Sequence, residues 1–135
     1  MSGRFTNFTL KSNTTAIDIL RIKSNRITGH LNAVRFRDAD TNQYVCYLSA
    51  LEVSGYGDTY EKAVEMAKFS ASQFFDYLLS LSSKKRKQEL AEAGWKHGNF
   101  LKNKDFSKAY VDVDGELREL NAVEGTIERL TLEAA

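Results

Sequence analysis

The chain has 135 residues, 42% of them hydrophobic and 27% charged, with a formal net charge of +1. That is enough chain to bury a core unaided, too apolar for a disordered segment, and too nearly neutral for the total charge to point to a partner. One cysteine, Cys46, excludes an intrachain disulfide, no apolar run approaches the roughly 18 residues needed to cross a bilayer, and Met1 to Phe5 lacks the apolar stretch of a secretory signal, so the expected location is cytoplasmic without membrane contact.

Residues 5–11 read as a short strand, with Phe8 and Leu10 alternating against Thr9 and Lys11, and Ser12-Asn13-Thr14 reads as a turn. Ala16 to Lys23 is apolar and β-branched and is broken by Ser24-Asn25. Arg26 to Phe36 places Ile27, Gly29 and Leu31 on one parity but Val34 and Phe36 on the other. A parity change inside one strand predicts a bulge near Asn32-Ala33. After the polar turn Arg37 to Asn42, the run Gln43 to Val53 alternates as one long strand and leaves through Ser54-Gly55-Tyr56-Gly57. Cys46 belongs to this run and reads as a small core residue.

The dominant element follows. From Tyr60 the apolar residues fall at 60, 63, 64, 67, 71, 74, 75 and 78, the spacing of one helical face. Asp58 or Thr59 can cap its first turn, and Asp58 with Glu61 has capping-box spacing. About twenty residues at 1.5 Å rise make a rod of roughly 30 Å, long enough to lie across a small sheet. A second helix is predicted from Lys84 to Ala93, with Leu90 and Ala93 inward and Gly94 as its stop. Trp95 to Phe106 reads as a loop rich in lysine, asparagine and aromatics. Tyr110 to Leu120 reads as a hairpin about Asp114-Gly115, and Thr126 to Leu132 as a last strand.

The predicted class is therefore α+β: an antiparallel β-meander with one long amphipathic helix packed across it. A C-terminal short helix and β-hairpin form an extension. Residues 1–83 make the core and 84–135 the extension, within one compact domain.

The turn Asp38 to Asn42, the strand Tyr44-Val45-Cys46-Tyr47-Leu48, and Gly57-Asp58-Thr59 followed by Glu61-Lys62-Ala63 resemble HicB-type antitoxins and their orphan relatives, over residues 38–79. The resemblance implies a three-stranded sheet with one helix across it, similar to a double-stranded RNA-binding domain. It also implies a non-enzymatic protein without a cofactor that contacts RNA or a toxin-like protein. Full-length antitoxins of that family end in a DNA reader, where residues 95–135 here read as a basic loop and an acidic hairpin.

Charge is distributed unevenly. Residues 84–108 carry eight basic residues against Glu89, Glu92 and Asp105, whereas residues 109–135 carry Arg118 and Arg129 against seven carboxylates. Either the molecule has a basic face or the two blocks pair with each other. For nucleic acid, Lys84, Lys85, Arg86 and Lys87 suit phosphates, and Trp95, His97 and Phe100, interleaved with Lys96, Lys102 and Lys104, would offer stacking beside cations. Arg35 and Arg37 are secondary candidates. The plainer reading buries Trp95 and Phe100 and leaves the lysines as a solvated rim.

Two other functional classes stay open. A meander with exposed edges can act as a protein-interaction module, homo-oligomeric through strand pairing. Asp38, Asp40 and Asp58 could form the carboxylate set of a metal-dependent nuclease, although a turn and a helix cap are where aspartate is expected anyway. His30 and His97 have no partner at metal-ligand spacing. Ser54 to Gly57 lacks the lysine of a phosphate loop.

Overall fold

The computed structural model describes residues 7–12, 17–98, 105–109, 122–123 and 125–135. Among them the strands are β1 (Phe8–Lys11), β2 (Ile17–Lys23), β3 (Arg26–Arg37), β4 (Tyr44–Leu48), β5 (Val53–Gly57), β6 (Lys96–His97), β7 (Asp105–Ala109) and β8 (Glu128–Ala134). The helices are α1 (Tyr60–Ser80) and α2 (Ser83–Glu92). All strand pairings are antiparallel and belong to one sheet, so the chain is α+β as predicted. The predicted hairpin at 110–120, with Phe100, Lys102 and Lys104, lies outside the described residues.

β2, β3, β4 and β5 pair in sequence as the expected meander. Ser24 (φ 49) and Asn25 (φ 63) both take left-handed backbone at the two-residue β2–β3 turn, whose twist suits a tight hairpin. β1 does not join the meander. It pairs with β8, and β8 runs between β1 and β3, so the end of the chain completes the middle of the sheet.

β3 contains no bulge. Its register with β8 runs unbroken from Gly29–Ala134 to Arg35–Glu128, through the position where the parity change predicted one. The parity changes because both faces of the strand are buried. Ile27, Leu31 and Ala33 face the main core under α1, while Val34 and Phe36 join Val45 in a second cluster closed by Tyr47, Ala122 and Ile127. On its other edge β3 is shared: β2 pairs with residues 26–30 and β4 with residues 34–37.

The long strand predicted over Gln43 to Val53 is two strands. β4 ends at Leu48, residues 49–52 turn with Glu52 at φ 54, and β5 returns antiparallel along β4. What reads as an exit loop, Ser54 to Gly57, is the body of β5. α1 rests on that strand. A Cβ at Gly55 would stand 2.3 Å from both Ala63 O and Ala67 N, so only glycine lets the helix backbone come this close.

The buried residues of α1 (Ala63, Val64, Ala67, Ala71, Phe75 and Leu78) all come from the predicted stripe. Burying Phe75 and Leu78 stabilises by about 1.5–3 kcal/mol each. Thr59 alone is the cap: its hydroxyl accepts the Lys62 N–H at 3.1 Å, while Asp58 stays exposed 3.8 Å from the Lys62 ammonium. No helix among the described residues is long and apolar enough to cross a membrane.

Candidate nucleic-acid interface

The basic run opens α2 directly after α1. Ser82 caps α2 by accepting the Lys85 N–H at 3.2 Å. At the other end the Gly94 N–H bonds Ala91 O (3.1 Å) and the Trp95 N–H bonds Leu90 O (2.9 Å), with Gly94 at φ 95. This double bond about a left-handed glycine is a Schellman stop, and Leu90 and Trp95 are buried beside it in one cluster. Ala93, predicted inward, is the exposed C-cap. The predicted loop after it contains β6 and the start of β7, with His97 stacked on Phe106 at 4.7 Å.

Arg86 does not belong with the other cations. Its Nε donates to Leu78 O at 2.9 Å and an Nη to Leu81 O at 3.1 Å, so the guanidinium caps the C-terminal carbonyls of α1. α1 has no basic residue in its own last turn, and Arg86 supplies that charge from the next helix. Tyr77 adds a second tie by donating its hydroxyl to Glu89 at 3.1 Å, a bond that raises the phenol pKa. With Arg86, Glu89 and Leu90 turned to the body of the protein, 3.6 residues per turn sends Lys84, Lys85 and Lys87 to the solvent half. All three are exposed and have no ion-pair partner among the described residues.

The structure therefore divides the predicted set. Lys84, Lys85 and Lys87 form a free basic turn. Lys96 is also exposed, but it lies past the far end of the ten-residue helix, about 15 Å of rise away. Trp95 is 3% exposed and offers no open face for stacking. Its indole N–H has no partner among the described residues. Arg35 is committed as well: it pairs with Glu128 at 3.0 Å and lies 4.8 Å over the Tyr60 ring.

The other candidate chemistries are not assembled. Asp38 accepts both the backbone N–H and the hydroxyl of Thr41, bonds that hold its carboxyl below the usual range and make it a turn residue. Among the described residues no three His, Cys, Asp or Glu side chains gather as a metal site, so Asp38, Asp40 and Asp58 do not form the nuclease set. The Cys46 thiol is fully buried, and desolvation pushes its pKa up to about 11. His30 is half-buried with Nε2 3.2 Å from Ile17 O.

Two features carry no sequence motif. One is the edge of β5, which among the described residues pairs only with β4. The other is a set of exposed apolar residues on α1: Met66, Phe69 and Tyr77. All three fall outside the 60–78 core stripe, and that exclusion was their only signal. No protein-family model, no curated protein and no solved structure matches this chain.

Proposed function

We propose that this chain is a non-enzymatic, HicB-like binding protein that contacts RNA through the solvent face of α2. The observation that carries the reading is the free basic turn of Lys84, Lys85 and Lys87. Three cations at a helix N-terminus oppose the dipole, and this first turn holds no acidic residue to offset them. A phosphate bound there would meet the lysines and the unpaired N–H groups of the turn together. The resemblance of residues 38–79 to HicB-type sequences, whose fold is similar to a double-stranded RNA-binding domain, supports the same reading.

The test is a fluorescence-anisotropy titration with labelled double-stranded RNA, single-stranded RNA and duplex DNA, at low and physiological salt. It is run beside Lys84→Glu/Lys85→Glu/Lys87→Glu, with Arg86 kept because it caps α1. Binding to RNA that weakens with salt, and that the triple variant loses, supports the reading. No binding at low salt overturns it. A second reading, contact with a protein partner, is favoured by the β5 edge and the exposed apolar residues above it.

A further inference from the structure

We propose that the open edge of β5 receives an extended, basic segment of a protein partner as an added β-strand, roofed by α1. The inference rests on the protein-partner reading and is independent of α2. β5 leaves one row of backbone N–H and C=O groups without a strand beside it among the described residues. Edges of this kind are usually blunted by lysine, proline or a bulge. Val53-Ser54-Gly55-Tyr56-Gly57 has none of these. By contrast β6 has two residues only, and β1 carries Lys11 paired with Glu133 at 2.9 Å.

The edge has apolar surface to go with it. Gly55 brings the backbone of Ala63, Met66 and Ala67 directly over β5, so the flank of α1 turned from the core overhangs the edge. Met66 (51% exposed) and Phe69 (57%) lie on that flank, and Tyr56 (56%) projects from β5 below. An incoming strand would place alternate side chains under Met66 and Phe69 and the others beside Tyr56.

Charge and space select the occupant. A hollow of about 580 Å³ between Tyr56 and Met66 is lined by Asp58, Glu61, Glu65 and Lys62. Lys62 stands 3.8 Å from Asp58 and Lys68 pairs with Glu65 at 3.2 Å, which leaves one carboxylate in excess to favour Lys or Arg on the partner. A second copy does not fit by two-fold pairing of β5. Paired strands stand about 4.8 Å apart, whereas packed helices need about 8–10 Å, and each copy would bring its own α1 over the same edge. The segment must arrive without a helix of its own on that face.

The test uses three labelled twelve-residue peptides: alternating valine and lysine, alternating valine and glutamate, and the lysine peptide N-methylated at every second amide. Each is titrated by anisotropy against the full chain and against Met66→Lys/Phe69→Lys, exposed positions whose change leaves the core intact. Amide exchange of β5 is followed in parallel. Expected are preference for the lysine peptide, at least tenfold weaker binding to the variant, little binding of the methylated peptide, and new protection of β5 amides. Equal binding of all three peptides, or binding without β5 protection, overturns strand addition. Preference for the glutamate peptide overturns the basic occupant and with it the proposal. A dimer in light scattering that Met66→Lys/Phe69→Lys dissociates would show the edge filled by a second copy, and would also overturn the proposal.

Discussion

The carboxylate of Asp18 accepts the backbone N–H of Asn32 at the stretch of β3 that neither β2 nor β4 pairs. β2 stops pairing at His30 and β4 begins at Val34, so a side chain takes the place of a ladder bond where the sheet forks. Asp18 is 1% exposed, and desolvation raises its pKa despite the bonds to Asn32 and the nearby charges of His30 and Lys108. Folding therefore favours its protonated form. Its contribution to stability is full below the ordinary carboxyl value of 3.8 and is lost as pH rises through the raised folded-state value. Urea unfolding from pH 3.5 to 7 should show this loss in the native chain and a flatter profile in Asp18→Asn, which keeps an acceptor. Asp18→Ala should cost about 1–3 kcal/mol, because it strands a buried N–H. A profile identical in native and Asp18→Asn proteins would mean that Asp18 stays ionised at no cost.

Arg86 and the three lysines beside it should separate cleanly by experiment. Arg86→Ala leaves Leu78 O and Leu81 O without their cation, at an expected cost of about 1–2 kcal/mol in urea unfolding. Arg86→Lys should recover only part of this, because an ammonium cannot reproduce the two-point guanidinium contact. RNA affinity per folded molecule should change little in either variant. The lysine triple should do the reverse. Its stability should hold or rise slightly, because glutamate at a helix N-terminus suits the dipole that lysine opposes, while the salt dependence of log K falls by about 2–3, as three lost phosphate contacts imply.

Gly55→Ala tests the contact that sets α1 over β5. The added methyl would sit 2.3 Å from Ala63 O and Ala67 N, backbone atoms that cannot swing aside. Overpacking at such a point should cost at least about 2 kcal/mol, read as a lower urea midpoint. A neutral outcome would show that α1 can lift from the strand without loss.

How far the sequence reveals the fold depends on the range of the signal. α1 is legible because every buried residue repeats within the helix, so one local period defines it. The β4–β5 turn is not, because residues 49–52 contain no proline or Asn-Gly pair and Glu52 takes left-handed backbone without a glycine to announce it. β3 misleads for another reason: alternation assumes one buried face, and Val34 and Phe36 are buried on the second. The pairing of β1 with β8 links opposite ends of the chain and leaves no local trace. In the candidate interface the composition counts four cations, but only the position of the α1 carbonyls shows that Arg86 is already engaged.

Cys46 should behave as a core atom rather than a reactive group. With the thiol fully buried and its pKa near 11, little thiolate exists at pH 8. A disulfide reagent should label it only as fast as the protein opens, with full reaction in denaturant. Rapid stoichiometric labelling of the native chain would place the thiol at an accessible surface.

The only tryptophan gives an optical test of the interface itself. Trp95 is C-terminal to the Gly94 stop, bonded by its backbone N–H to Leu90 O and buried beside Leu90. Its emission should be blue-shifted and poorly quenched by iodide, since 3% exposure leaves no route for an ion to the ring. If RNA binds on the lysine face of α2, the emission should stay nearly constant while anisotropy of the labelled RNA rises. Base stacking on the indole would instead quench it strongly. Strong quenching that tracks RNA occupancy would mean that the α2–β6 junction opens on binding, and that the loop after Gly94 takes part in the contact with the lysines.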